Sequence, residues 1–213
     1  MISPTAPNLF ASGRHRPREH HAVSGWVGWV LCGLAAAASP AFAAQVGSVS
    51  LADSLKVDQS VVHLYHATIK EATVLQVDVY AIGLYLEDTM TAPEEVLRSE
   101  QIKAVEITFL IAVKKLKLAS AWMRDFQRCC PESCRSLRES AQALTKKLPD
   151  IKRGDRVSYR LHPDRVDVLI NDRSLGALDD SCGAVAVLSA FIGERAPERL
   201  RQALLAPPPP AGR

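Results

Sequence analysis

Alternation of apolar and polar positions with a period of two is the clearest signal in this chain. In a strand expected over 73–86, Leu75, Val77, Val79 and Ala81 share one face, and Gln76, Asp78 and Tyr80 share the other. After Tyr80 the second face also turns apolar, through Ile82, Leu84 and Leu86. Such a strand runs from a wet edge into a centre covered on both sides. Gly83 marks a bulge or a close backbone approach. Val157, Tyr159 and Leu161 alternate with Arg156, Ser158 and Arg160 as a half-exposed strand should. His162-Pro163-Asp164 turns it, Val166, Val168 and Ile170 carry the return, and Asn171-Asp172 forms a hairpin turn because both residues tolerate positive φ. Weaker runs predict strands over 46–51, 61–69 and 105–111.

Elsewhere the period is helical. Pro93 followed by Glu94 and Glu95 opens a short helix, with proline in the first turn and acids beside it. From Lys115, residues Ala119, Trp122, Met123, Phe126 and Cys130 recur at helical spacing until Pro131 ends the run. Leu137, Ala141, Leu144 and Leu148 repeat the pattern before Pro149. Ala184 to Ile192 predicts a core-facing helix, and Pro197 opens a last one with Leu200 and Leu204 inward. Two amphipathic helices between sheet segments, without repeats or linkers, predict one α+β domain over 44–206, with 207–213 a disordered tail.

The first 43 residues read as a leader. Arg14, Arg16 and Arg18 supply a basic start, 22–38 is apolar and uncharged, and Ala41-Phe42-Ala43 places small residues at −3 and −1 of a cut before Ala44. The apolar stretch is short for a membrane span. The expectation is therefore an exported, periplasmic or secreted chain with no membrane anchor after cleavage. The 213 residues carry 26 Lys+Arg against 23 Asp+Glu, a formal charge of +3, and much of that excess leaves with the leader. A nearly neutral body lacks the footprint of a nucleic-acid binder. Cys32 leaves with the leader too. Cys129, Cys130, Cys134 and Cys182 remain, and an oxidising compartment permits any pairing that geometry allows, including none.

Candidate chemistry is sparse. His63 and His66 are an odd number of residues apart on an expected strand, which sends their rings to opposite faces. His162 reads as a structural or surface histidine in a turn. Cys129-Cys130 and Cys134 lack a CxxC pair, so no metal or cofactor is expected. The sequence contains no nucleophile elbow, phosphate loop or dinucleotide fingerprint. Lys152 to Asp155 and the run Lys114-Lys115-Leu116-Lys117 read as solvated surface.

Four motifs in order carry a resemblance. Val79-Tyr80-Ala81-Ile82-Gly83-Leu84-Tyr85-Leu86 resembles the core strand of the chalcone isomerase-like family, in particular its exported bacterial branch. Lys152-Arg153-Gly154-Asp155, the hairpin Val168-Leu169-Ile170-Asn171 with Leu175-Gly176, and the closing stretch from Leu188 to Leu205 are similar to further landmarks of that branch. The resemblance implies an open-faced β-sandwich, an antiparallel sheet covered by helices around an apolar cleft. It also implies two site residues. Lys70 falls where the family carries an arginine for an anion, and Tyr80 falls where the core strand carries a hydroxyl. The family's catalytic Tyr and Asn find no counterpart between Ala119 and Cys130.

Three functions follow from the resemblance. The first is non-catalytic binding of a fatty acid or another small amphipathic carboxylate, held by Lys70 and Tyr80. The second is an isomerase, an intramolecular lyase acting on a chalcone-like enone. The third is an interaction module with a filled core.

Overall fold

The computed structural model describes residues 43–72, 77–90, 92–130, 132–134 and 136–206. The expected leader (Ala43 apart), the expected tail and the start of the strand expected from Thr73 lie outside the described residues.

A hairpin comes first, β1 (Ala43–Val46) and β2 (Val49–Ala52). Seven further strands form one antiparallel sheet whose spatial order is its sequence order: β3 (Ser54–Val57), β4 (Ser60–Ala72), β5 (Val77–Leu86), β6 (Lys103–Phe109), β7 (Arg156–Leu161), β8 (Val166–Ile170) and β9 (Arg173–Leu178). Between β5 and β6 lies α1 (Pro93–Arg98), and between β6 and β7 lie α2 (Lys115–Cys129) and α3 (Leu137–Lys146). After β9 come α4 (Gly183–Ser189) and α5 (Glu198–Leu204).

One face of the sheet makes the core. The pairs Ile82 with Ile107, Val105 with Tyr159, and Tyr159 with Val168 lie opposite one another across β5 to β8, and all join a single buried cluster. Leu118 of α2, Leu144 of α3, Leu188 of α4, and Leu200 and Leu204 of α5 close over it. Each such side chain, fully buried, contributes roughly 1.5–3 kcal/mol. The other face carries a smaller cluster of Val57, Val62, Tyr85 and Ala104, and the β1–β2 hairpin lies beside it. The result is the open-faced α+β sandwich expected from the sequence, with the sheet curled around its helices.

Gly83 shows why the hairpin fits. It is regularly paired with Ala67 and Glu106, so it is not a bulge. A Cβ there would stand 2.9 Å from the Tyr85 ring, 3.0 Å from Leu64 Cδ1 and 3.3 Å from Leu51 Cδ1. Side chains, not backbone, make the close approach.

Several local expectations are corrected. The run over 46–51 is not one strand but two, because Gly47 at φ +59 reverses the chain. β3 was not expected. Register changes twice between β4 and β5, leaving Tyr65 as an extra residue on β4 and Val79 as one on β5. The first bulge brings His63 opposite Leu86 and His66 opposite Leu84, so both histidines stand on the same face and not on opposite ones. His162 is buried at 5% exposure, and its Nε2 lies 3.2 Å from the Asp167 carboxylate. Arg165 reaches both Asp167 and, at 3.0 Å, Asp58 in the β3–β4 turn. This network ties two distant turns together and holds the curl. The Asn171-Asp172 turn has φ of +50° and +63°, as its residue types predict.

Of the four remaining cysteines, Cys134 and Cys182 form a disulfide, with Cα atoms 5.5 Å apart. It links the 3-10 turn Glu132–Cys134 to the residue just before α4. Cys129 is buried, and its Sγ approaches the Arg195 carbonyl.

Lys103 is only 2% exposed, and its ammonium donates to the carbonyls of Ser99 and Gln101 just beyond α1. Burial lowers its pKa to about 8. The unfolded chain therefore holds this proton more tightly than the native one. Below pH 8 both states are charged and the native state bears the full desolvation cost. That cost is relieved as pH rises from 8 toward the unfolded value. Relative to a Lys103→Met variant, the parent is expected to gain a few kcal/mol of unfolding free energy between about pH 8 and 10.5. Urea titrations at both pH values measure it, and parallel pH curves for the two proteins would contradict it.

Candidate functional site

The site begins with the placement of α2. Its first turn has no cap from its own sequence; Asp150 supplies one from the α3–β7 loop. The Asp150 carboxylate accepts the Lys115 N–H at 2.9 Å and pairs with the Lys114 ammonium at 2.9 Å. These bonds hold its pKa below the usual carboxylate range. Val113 and Ile151 exchange two backbone hydrogen bonds just before. The helix is thereby fixed across the sheet at a distance its side chains do not fill.

The space that remains is a cavity of about 210 Å³. The sheet contributes Tyr80, Ile107, Phe109, Tyr159 and Val168, while α2 contributes Leu118, Ala121, Trp122 and Phe126. Ala141 and Leu144 of α3, and Ala186 and Val187 of α4 with the following Phe191, complete the wall. A protein cavity of ~150 Å³ lined by apolar side chains admits benzene. This one has room for an aromatic ring or a short acyl segment. Trp122 lies 5.7 Å from the Tyr159 ring, centroid to centroid, and Phe191 lies 6.1 Å from it. Tyr80 meets Phe109 edge-on at 5.9 Å.

Polar groups in this wall are few. Tyr80 and Tyr159 bring hydroxyls, Thr145 a third, Asp125 a carboxylate and Lys117 an ammonium. Burial raises the pKa of both tyrosines, and the Asp125 charge raises each further. Their hydroxyls stay protonated and act as hydrogen-bond donors, not bases. Asp125 is itself paired with Arg128 at 2.9 Å. A wider groove of about 950 Å³ between α1, α2, α4 and α5 is lined as much by polar as by apolar atoms.

The two site residues expected from the sequence are neighbours. Lys70 and Tyr80 are directly paired across β4 and β5, so their side chains leave the same face of the sheet a few ångströms apart. Tyr80 lines the cavity; Lys70 is half-buried one strand further out and does not. Tyr80 shares the core face with Ile82 and Leu84 by regular alternation, and the Val79 bulge puts Asp78 on the opposite face from Tyr80. Sequence reading missed Tyr159, Asp125 and Thr145. The signal for Tyr159 was a hydroxyl among the core positions of its strand. For Asp125 it was an acid three residues after Trp122, on the apolar stripe of α2. No cluster of metal-ligating side chains occurs among the described residues.

Comparison with known proteins agrees with this architecture. The fold is similar to that of AtFAP1, a fatty-acid binding protein of Arabidopsis thaliana, with a TM-score of 0.60 at 16% identity over 74% of this chain and 91% of that one. No curated protein matches by sequence. Residues 43–206 match the chalcone isomerase-like family profile. With that match spanning nearly all the described residues, and with a curled antiparallel sheet closed by helices over an apolar cavity, the chain belongs to the chalcone isomerase-like family.

Proposed function

We propose that this protein binds a small amphipathic carboxylate of the fatty-acid class without transforming it. One observation carries the reading: an apolar cavity with protonated tyrosine hydroxyls on its wall and a lysine beside the outermost of them. The acyl part fills the space between α2 and the sheet. The carboxylate lies at the Tyr80 end, where it accepts the hydroxyl and faces the Lys70 ammonium. Asp125, whose charge reaches both tyrosines, is paired with Arg128, which offsets its opposition to an anion at that end. The name of the similar Arabidopsis protein supports the ligand class. The leader pattern, together with the Cys134–Cys182 disulfide, supports export to an oxidising compartment, as in the exported bacterial branch. The isomerase reading has less support, since the catalytic Tyr and Asn that the resemblance implies find no counterpart between Ala119 and Cys130.

Binding is measurable directly. In a chain cut before Ala44, Trp122 is the sole tryptophan, and it lines the cavity. Its emission should change on titration with a medium-chain fatty acid, and native mass spectrometry should show the one-to-one complex. Lys70→Ala is expected to weaken the carboxylate by ~1–3 kcal/mol, the cost of a lost charge-assisted bond. The matching fatty alcohol should bind parent and variant alike. Equal carboxylate affinity in both proteins would remove Lys70 from the site. Absence of any binding across a series of chain lengths would remove the reading itself.

A further inference from the structure

The cavity wall reaches the surface at one end of the molecule, where the β6–α2 loop and the α3–β7 loop meet. Val113 and Lys117 line the cavity there. The Val113–Ile151 bonds and the Asp150 cap weld the two loops into one rigid tip. This tip has an unusual surface. Leu116 is 74% exposed and Ile111 37%, and these are two of the three large apolar side chains standing exposed among the described residues. Around them Lys114, Lys115, Lys117, Lys152 and Arg153 are all exposed. The carboxylates of the same loops are Asp150 and Asp155. Asp150 is held by Lys114 and the Lys115 N–H, and Asp155 by Asn171 and the Lys152 N–H. Lys146 and Lys147, exposed at the end of α3, extend the charge.

A solvated helix start needs no exposed leucine among its lysines. Burying Leu116 inward is precluded, because Leu118 already takes the core position of this turn. Apolar residues projecting from a basic, rigid surface fit one chemistry: an anionic bilayer, with phosphate groups over the ammoniums and Leu116 and Ile111 among the acyl chains. We propose that this tip docks the protein peripherally on anionic phospholipid membranes. No helix among the described residues is long and apolar enough to cross a bilayer, so the contact is of the surface kind. The docking does not depend on the cavity having a ligand. If both hold, the cavity mouth faces the lipid.

The test uses the chain from Ala44 onward, which contains all of the described fold except Ala43 and excludes the apolar leader as a source of binding. Flotation with vesicles of one part phosphatidylglycerol to three parts phosphatidylcholine should carry the protein up at low salt. Phosphatidylcholine alone should carry little, and raised salt should release it. Leu116→Asp is expected to lower the bound fraction at least about tenfold, and Lys115→Glu or Lys152→Glu at least about fivefold each. All three positions are exposed, so circular dichroism and fatty-acid titration should stay at parental values. Parental binding by Leu116→Asp, equal binding to both vesicle types, or no flotation at all would overturn the proposal. Binding to polyglutamate without flotation would assign the tip to an acidic protein instead.

Discussion

Replacing Ala121 by phenylalanine is expected to abolish ligand binding while leaving the protein folded. Ala121 faces the cavity from the middle of α2, so the added ring enters space that the native side chains leave open. Filling an apolar void does not exact the overpacking cost seen in a tight core, and regained contacts can stabilise it. A ligand that loses several buried methylenes, at ~0.8 kcal/mol each, loses ~3 kcal/mol or more, at least two orders of magnitude in Kd. Isothermal titration with the fatty acid that binds the parent best measures this, and thermal unfolding shows whether the fold is kept. Ala141→Phe approaches the same space from α3 and serves if the first variant is poorly folded. Undiminished affinity in a folded variant would place the ligand outside this cavity. The wide groove between α1, α2, α4 and α5 would then be the place to look.

The second large effect is on stability. Converting Cys134 and Cys182 to serine together opens a loop of sequence separation 48. Loop-closure entropy alone assigns such a bridge about 4 kcal/mol. For a domain of this size that corresponds to a fall in Tm of about 8–16 °C. Reductant should bring the parent down to the variant and leave the variant unmoved. A difference of only a degree or two would show that native packing between the 3-10 turn and α4 holds that corner without the bridge. Because neither Cys134 nor Cys182 lines the cavity, affinity at a temperature where both proteins are folded should match.

What was legible in the sequence, and what was not, follows from the range over which each feature is determined. The helices over 115–130 and 137–148 could be read because a stripe of apolar residues and a terminal proline are local facts. The turn at Asn171 and Asp172 was legible for the same reason, since these side chains tolerate the conformation that the hairpin imposes. The hairpin of β1 and β2 was missed because Gly47 and Ser48 sit inside a run that alternates acceptably as one strand. β3 was missed because four residues, half of them polar, carry too little pattern. The bulges at Tyr65 and Val79 are invisible to any rule of period two, and each reassigns faces: one moved a histidine, the other took Asp78 off the face of Tyr80. Lys70 and Tyr80 were singled out by family resemblance, but their pairing was not legible, because register between strands is a long-range property that composition does not encode. Asp125 and Tyr159 were overlooked for a related reason. A polar residue on an apolar stripe signals a site only when the opposing wall is known.

The order of the seven strands has a consequence for how the molecule assembles. Each strand pairs with its successor, so β3 to β5 can zip by closing short loops, β6 joins them across residues 87–102, and β7 to β9 again close short loops. The longest closure is the junction of β6 with β7, across which residues 110–155 and both long helices must be gathered. Contacts that close a long loop form late because their entropy is lost before any pairing compensates for it. The two arms of the sheet should therefore exist as separate hairpin stacks before they meet. The seam at which they join is the floor of the cavity, so the hollow is the last part of the protein to take shape.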